Sequence, residues 1–388
     1  MPRMTLDHAH CTGCGACVQR CPKACISFQK EELGHIYPVI DEDTCINCGL
    51  CERVCPIEKP KPEPVAQKAY AVVNKDEQVL QNSTSGGFFS AVATMVLAEG
   101  GVVYGCIMTS DFQTCHVRAE SMEDLRSLRS SKYVQSDTKN TFAEAEKDLR
   151  SGRKVLFTGT PCQIDGLNFF LGKEYEELLT IDIVCHGVGS QAFFDKYMQY
   201  KQSCRPIDKL YFRSKEFVGW SHGGMEIDTH GQHHPYYEYD NYYYYYFLHG
   251  GIFRNSCYTC KYANTDRPGD FTMGDFWGVE TCDISFETSK GCSLVLANTE
   301  KAHRLMPQLE KYIFSQEVSI EQAVRRNGQL QRPSKCSEDR DVLVKEYETK
   351  SGQELNDSFR KTKKKDIWKI RLKTMVPYKI KVKLRKLR

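Results

Sequence analysis

The 388-residue chain lacks any run approaching 20 uncharged apolar residues. Its most apolar stretch, Phe88 to Met108, is interrupted by Glu99 and several glycines, which excludes a membrane-spanning helix there. The first ten residues, MPRMTLDHAH, lack the apolar core of a secretory signal, so the expected location is the cytoplasm. No compositional bias marks disorder, collagen or coiled coil. With 40% hydrophobic and 27% charged residues, the balance is that of a globular protein. The length suggests two or three domains with sizeable cores. Cysteine, by contrast, is abundant. The chain has 19, an odd number in a protein not expected to be exported, which argues against a disulfide framework and for metal binding.

The cysteines are unevenly spread, with nine of them inside the first 55 residues. Eight of these fall in two matching runs, Cys11-Thr-Gly-Cys14-Gly-Ala-Cys17-Val-Gln-Arg-Cys21-Pro22 and Cys45-Ile-Asn-Cys48-Gly-Leu-Cys51-Glu-Arg-Val-Cys55-Pro56. This is the C-x2-C-x2-C-x3-C-P spacing of bacterial ferredoxins, in which three cysteines wrap one cubane and the fourth crosses to the other. The expected ligand sets are therefore Cys11, Cys14, Cys17 and Cys55 for one [4Fe-4S] cluster, and Cys45, Cys48, Cys51 and Cys21 for the second. Gly13, Gly15 and Gly49 let the backbone turn closely around the sulfides. A pair of zinc knuckles is the competing reading, but zinc takes its ligands as two separated pairs, not as two runs of four. Cys25 lies outside the pattern and reads as a packed thiol. Residues 1–60 form the expected ferredoxin domain, and the alternating prolines of residues 61–68 read as a stiff spacer to something larger.

Beyond the spacer, strands alternate with helices. Ala69–Val73 and Val102–Met108 read as strands, Phe88–Ala98 as an apolar helix and Thr141–Ser151 as a polar amphipathic helix. Between the first strand and its helix lies Asn82-Ser-Thr-Ser-Gly-Gly87. Its hydroxyls and glycines suit a phosphate cradle or an ordinary helix cap. Lys132, in SSKYVQS, reads as a phosphate partner or a solvated side chain. Lys154–Thr158 is a buried strand running into Gly159-Thr160-Pro161-Cys162 and a helix through Leu171, and Leu178–Val184 ends at Cys185-His186-Gly187. In an α/β core the ligands gather beyond the carboxyl ends of the strands, which would place Cys162 and Cys185 on one edge. With the pair Cys257-x2-Cys260 they make four thiolates. These suit a third cubane, a zinc site or unrelated free thiols, and spacing alone leaves all three open. Cys106, Cys115, Cys204, Cys282, Cys292 and Cys336 have no grouping and read as packing residues. The tyrosine-dense stretch 236–247 reads as core packing or as a wall for a flavin ring.

From about residue 66 to 300 the sequence resembles the beta subunit of coenzyme F420 hydrogenases and dehydrogenases. STSGGFFSA, SSKYVQSD, VLFTGTPCQIDGL, DIVCHGV, Phe212-Arg213-Ser-Lys215 with Gly219-Trp220, CYTCKYA and RPGDFTMGDFWG occur in that family's order. The resemblance implies an α+β protein, in which the small two-cluster ferredoxin domain precedes a larger α/β flavin-binding domain. That larger domain is read as residues 69–180 and 181–340, with a basic tail at 341–388. It implies FAD, with Ser83, Ser85, Gly86, Gly87, Lys132, Gly159, Thr160, Pro161, Gly274, Asp275 and Trp277 as candidate contacts. It also favours Cys162, Cys185, Cys257 and Cys260 as ligands of a third [4Fe-4S] cluster. His186 is read as a proton donor near the flavin or as a group supporting Cys185. The implied function is electron transfer between a hydride donor such as coenzyme F420, FAD, the clusters and a redox partner or complex subunit, in either direction. Two alternatives remain. One is a ferredoxin-dependent reductase of an organic substrate, similar to the hydroxymethyl-chlorophyll reductases or linked to surface-polysaccharide synthesis. The other is a non-catalytic electron-transfer subunit.

The net charge of +3 conceals an asymmetry. Residues 360–388 hold 14 Lys or Arg and one Asp, a net of +13, which leaves −10 on residues 1–359. The tail interleaves Trp368, Ile370 and Leu372 with its charges. It suits an anionic membrane surface, an acidic docking partner or a solubilising role. No recognition module for nucleic acid accompanies it. Residues 300–359 read as a helical extension.

Overall fold

A computed structural model describes residues 8–57, 59, 67–220 and 223–375. Most of the spacer and the last 13 residues of the tail therefore lie outside the described residues. The amino-terminal unit is a hairpin of β1 (Ile26–Lys30) and β2 (Ile36–Ile40), flanked by the short helices Ala16–Arg20 and Leu50–Arg53 that follow the cysteine loops.

The remaining strands are β3 (Lys68–Asn74), β4 (Val102–Met108), β5 (Thr114–Ala119), β6 (Val155–Gly159) and β7 (Leu178–Ile183). They continue as β8 (Ile207–Tyr211), β9 (Gly224–Asp228), β10 (His233–Tyr236), β11 (Phe271–Asp275), β12 (Ser293–Ala297) and β13 (Ile313–Val318). Eight of them make one sheet in the order β13-β3-β12-β11-β7-β6-β4-β5, while β8, β9 and β10 form a separate antiparallel sheet. At the centre, β4, β6, β7 and β11 are parallel, and antiparallel strands close both edges. The central strands read as nearly continuous apolar runs because helices cover both faces. Val103, Leu156 and Ile181 face helices Phe88–Ala98 and Glu300–Leu309. Their alternates Val102, Val155 and Phe157 face helices Thr141–Arg150 and Pro161–Leu171.

Position 180/181, used above to divide the large domain, falls inside β7, and strands from both parts share one sheet. Residues 300–359 are not wholly helical, since Ile313–Val318 pairs with β3 as the edge strand. The tyrosine-dense stretch packs as core. Helix Tyr242–Leu248 buries Tyr242 through Phe247 against Phe193, Phe194 and Phe212.

The amino-terminal unit does not hang from its spacer. Ala16 and Val54 enter the same apolar cluster as Phe142 and Ile164 of the large domain. Thr138 Oγ1 donates to Cys14 O at 2.9 Å, Gln135 Nε2 donates to Thr12 O at 3.0 Å, and Gln19 Oε1 accepts from Phe142 N–H at 3.0 Å. Among the described residues, no helix is long and apolar enough to cross a membrane.

Candidate functional site

The carboxyl ends of β6 and β7, together with the loop at 254–263, surround one cavity. Cys162, Cys185, Cys257 and Cys260 line it, and Thr12 reaches it from the first cysteine loop. Cys162 stands in the first turn of helix Pro161–Leu171, which Thr160 caps, with Gln163 Oε1 accepting from Thr160 N–H at 3.0 Å. Proline at the first position suits that start, and the helix dipole favours negative charge on Cys162.

Burial pushes the Cys162 thiol up to about 11, Cys257 up to about 12 and Cys185 well above its usual range, and each also feels the charge of Cys260. Thiols so crowded and dry become thiolates only when a metal centre takes the place of their protons. Among the described residues, no three His, Cys, Asp or Glu side chains close on one point tightly enough for a single ion. Four thiols around one cavity are the donor set that a cubane, with thiolates spread around a body of four irons, would take.

The ferredoxin cysteines fall in two neighbouring places. Cys17 interacts electrostatically with Cys11, Cys55 and Cys51, and Cys14 with Cys17, Cys11 and also Cys162. The first set thus adjoins the large-domain cysteines. Cys21, Cys45, Cys48 and Cys51 line a separate cavity of about 290 Å³. Cys25, read from sequence as a packed thiol, is buried but also lines that cavity, its Sγ 3.3 Å from that of Cys21.

The loops between the cysteines are pinned by polar contacts. Arg267 Nε and Nη2 donate to Asp182 Oδ1 at 3.0 and 2.7 Å, with both side chains essentially inaccessible. Asp182 Oδ2 also accepts from Gly269 N–H at 3.0 Å, which anchors the RPGD turn to β7 three residues before Cys185. Tyr262, two residues after Cys260, donates to Asp165 Oδ2 at 2.6 Å, three residues after Cys162.

His186 Nε2 lies 3.2 Å from the Leu248 carbonyl and must donate to it, so Nδ1 accepts from Gln329 Nε2 at 2.7 Å. Burial lowers its pKa. The ring is neutral and both nitrogens are engaged, an arrangement that suits the second of its two expected roles, support of the Cys185 loop.

The residues expected around FAD fall into three groups. Ser85 Oγ donates to Cys292 O at 2.7 Å and lies 3.5 Å from Gly274 O. Asp275, at the end of β11, accepts from Arg213 Nη1 at 3.0 Å and Trp220 Nε1 at 2.7 Å. Trp220 stacks on Trp277, their centroids 5.3 Å apart. Ser83 Oγ is occupied by Val79 O at 2.6 Å, and Gly86 is required because a Cβ there would meet Val72 O at 2.1 Å. Gly87 opens helix Phe88–Ala98 with no side-chain cap. Lys132 departs from expectation: its ammonium donates to the carbonyls of Ser127, Leu128 and Arg129. Three donors are all it has, so none remains for a phosphate. Burial lowers its pKa to about 8. Gly159, Thr160 and Pro161 form the third group. They shape the turn that presents Cys162, with Pro161 on the wall of the cysteine cavity.

Two buried atoms beside the first group, Arg129 Nε and Ser130 Oγ, have no partner. They precede Ser131, whose N–H donates to Thr84 Oγ1 at 3.2 Å. Unpaired buried donors and an uncapped helix start nearby in the fold both suit an anion. Sequence reading missed this pair, as it missed Arg254 and Arg267. Ser130 and Arg267 stand inside the SSKYVQSD and RPGDFTMGDFWG stretches, while Arg129 and Arg254 leave no signal but an arginine within an otherwise apolar or turn-forming stretch.

Residues 152–322 match the family described as the carboxyl terminus of the coenzyme F420 hydrogenase/dehydrogenase beta subunit. Residues 10–59 match the 4Fe-4S dicluster domain. Among curated proteins none matches. A solved structure of the F420-reducing [NiFe] hydrogenase complex from Methanosarcina barkeri, derivatised with xenon, contains a chain 14% identical. The superposition covers 79% of this chain and 95% of that one at a TM-score of 0.43. Residues 152–322 are thus similar to the carboxyl-terminal part of the coenzyme F420 hydrogenase/dehydrogenase beta subunit, and residues 10–59 to a 4Fe-4S dicluster domain.

Proposed function

We propose that the protein is an iron-sulfur flavoprotein oxidoreductase that exchanges electrons between a hydride carrier of the coenzyme F420 type and a redox partner protein. The observation that carries this reading is the continuity of the cysteine sets. Cys162 of the large-domain cavity acts on Cys14 of the first ferredoxin loop, and Thr12 of that loop lines the same cavity. When bound, FAD would supply two-electron hydride chemistry and the clusters one-electron transfer.

The chain's own residues hold and separate these groups. Cys11, Cys14, Cys17 and Cys55, then Cys21, Cys45, Cys48 and Cys51, and then Cys162, Cys185, Cys257 and Cys260 are the three ligand sets. His186 and the Arg267–Asp182 pair orient the loops of the third set. The anion cradle of Arg129, Ser130 and the start of helix Phe88–Ala98 would take the cofactor's phosphates. Ser85, Gly274, Asp275 and Trp277 would lie along it. Lys132 stays out of this set because its donors are taken.

The outer cavity at Cys21 to Cys51 has exposed Cys48 and Ile46 at its rim and is the proposed contact point for the partner. The location proposed is cytoplasmic, with the tail touching an anionic membrane surface. In support, helix Lys364–Met375 packs Ile367 and Ile370 inward while Trp368 and Leu372 stay exposed among lysines.

The test is anaerobic bleaching of the purified protein's flavin band. F420H2 should bleach it while NADH does not. Bleaching by reduced ferredoxin alone would transfer the assignment to a reductase of an organic substrate. Absence of flavin would leave an electron-transfer subunit.

A further inference from the structure

Arg254 lies where the first ferredoxin set and the large-domain set meet. Its side chain is wholly buried. The guanidinium carbon sits 4.2 Å from the centroid of the Tyr37 ring, and Nη1 donates to Ile36 O at 2.8 Å. A Cβ added to Gly13 would come within 2.5 Å of Nη2, so the guanidinium rests against the Cys11–Cys14 loop. On its other side the residue lines the cavity of Cys162, Cys185, Cys257 and Cys260.

Among the described residues no carboxylate pairs with Arg254, and its Nε has no hydrogen-bond partner. Glu32 serves Arg340 at 3.3 Å and Asn255 at 3.2 Å instead. A guanidinium cannot discharge itself by losing a proton, and a buried charge left unpaired is strongly unfavourable. Something anionic is therefore required on both sides of it.

We propose that Arg254 is the shared counter-charge of two adjoining [4Fe-4S] clusters, one held by Cys11, Cys14, Cys17 and Cys55 and one by Cys162, Cys185, Cys257 and Cys260, and that it raises the reduction potential of both. The proposal rests on the ligand sets given under Proposed function. Each cluster gains one negative charge on reduction, so a fixed cation beside it stabilises the reduced form more than the oxidised form. When one electron leaves one cluster and enters the other, no bond or proton moves and the total charge of the pair is unchanged. A cation between them serves both charge distributions without rearranging. The cluster at Cys21, Cys45, Cys48 and Cys51 lies in a separate cavity that Arg254 does not line.

The test is an EPR-monitored redox titration of the full chain, purified anaerobically, as wild type, Arg254→Gln and Arg254→Lys. The expected result is unchanged iron with a reduced-to-oxidised ratio of two clusters, read at one fixed potential, at least tenfold lower in Arg254→Gln, a shift of about 59 mV for a one-electron couple. The cluster at Cys21, Cys45, Cys48 and Cys51 should be unmoved, and Arg254→Lys should restore most of the shift. Full iron with unmoved potentials in Arg254→Gln overturns the proposal. A lysine variant with full iron and potentials as low as the glutamine variant's overturns it too. Iron lost from glutamine but kept by lysine at near wild-type potentials supports it, and iron lost from both overturns it in favour of a purely structural role. A wild-type protein without its full iron would instead refute the ligand sets.

Discussion

Lys261, the residue after Cys260, donates through Nζ to the carbonyl oxygen of Pro56, the residue after Cys55. The last ligand of the first cluster set and the last ligand of the large-domain set are thus tied through their immediate neighbours. The same interface includes Gln135 to Thr12, Thr138 to Cys14, and Arg20 to Glu146 at 3.2 Å.

The ferredoxin unit should accordingly behave as part of one body. Proteolytic cleavage within residues 58–66 should leave two fragments that co-elute in gel filtration under anaerobic conditions. Gln135→Ala and Thr138→Ala should each lower stability by about 1 kcal/mol, the usual net worth of such a hydrogen bond. Denaturant midpoints of the intact chain would check this. Fragments that separate after cleavage would contradict the docked arrangement.

Removing the partner of a buried charge should have a larger effect. Arg267→Ala leaves Asp182 buried with only backbone and hydroxyl donors. Burial already pushes this carboxyl up against the pull of Arg267. The expected loss is about 3–5 kcal/mol, measured by equilibrium denaturation. Replacing both residues with apolar ones of similar size should cost less than the single change.

Buried His116 gives a sign for acid sensitivity. Burial lowers its pKa to about 4, although Nε2 donates to Thr158 O at 2.9 Å and Asp137 lies near. Nδ1 accepts from Ser136 Oγ at 2.7 Å, so the ring is neutral. Between its ordinary value and about 4, the unfolded chain binds a proton that the folded chain refuses. Stability is therefore fully present above the ordinary histidine range and falls by about 1.4 kcal/mol per pH unit below it. His116→Gln should show a shallower fall, read from denaturant midpoints at neutral pH and near about pH 5. Identical slopes would contradict this account.

How much of this was legible in the sequence depends on how local each feature is. The eight ferredoxin ligands sit in two runs, so spacing alone sorts them. Cys162 and Cys185 were placed on one edge because each follows a strand of apolar residues. Joining them to Cys257 and Cys260 needed the family resemblance. Lys132 misled because its partner, the five-residue helix Asp124–Leu128, has no strong sequence signature. The edge strand Ile313–Val318 was hidden by its one exposed face and polar alternates. Arg254 was invisible because a buried cation is recognised only when its surroundings are known.

The exposed face of helix Lys364–Met375 predicts salt-sensitive binding to vesicles containing anionic lipid. Trp368 is 64% exposed and Leu372, one turn on, is 45% exposed. Replacing both with alanine should weaken binding in a sedimentation assay, and binding unaffected by that change would assign it to charge alone.

The central claim is that the scattered cysteines of the large domain hold a third cluster beside a flavin. Iron and flavin quantified per chain on anaerobically purified wild type and Cys162→Ala test it most directly. The account predicts about 12 irons and one FAD for the wild type, with about four irons lost from the variant and none lost from a Cys106→Ala control. About eight irons in the wild type, unchanged in Cys162→Ala, would contradict it.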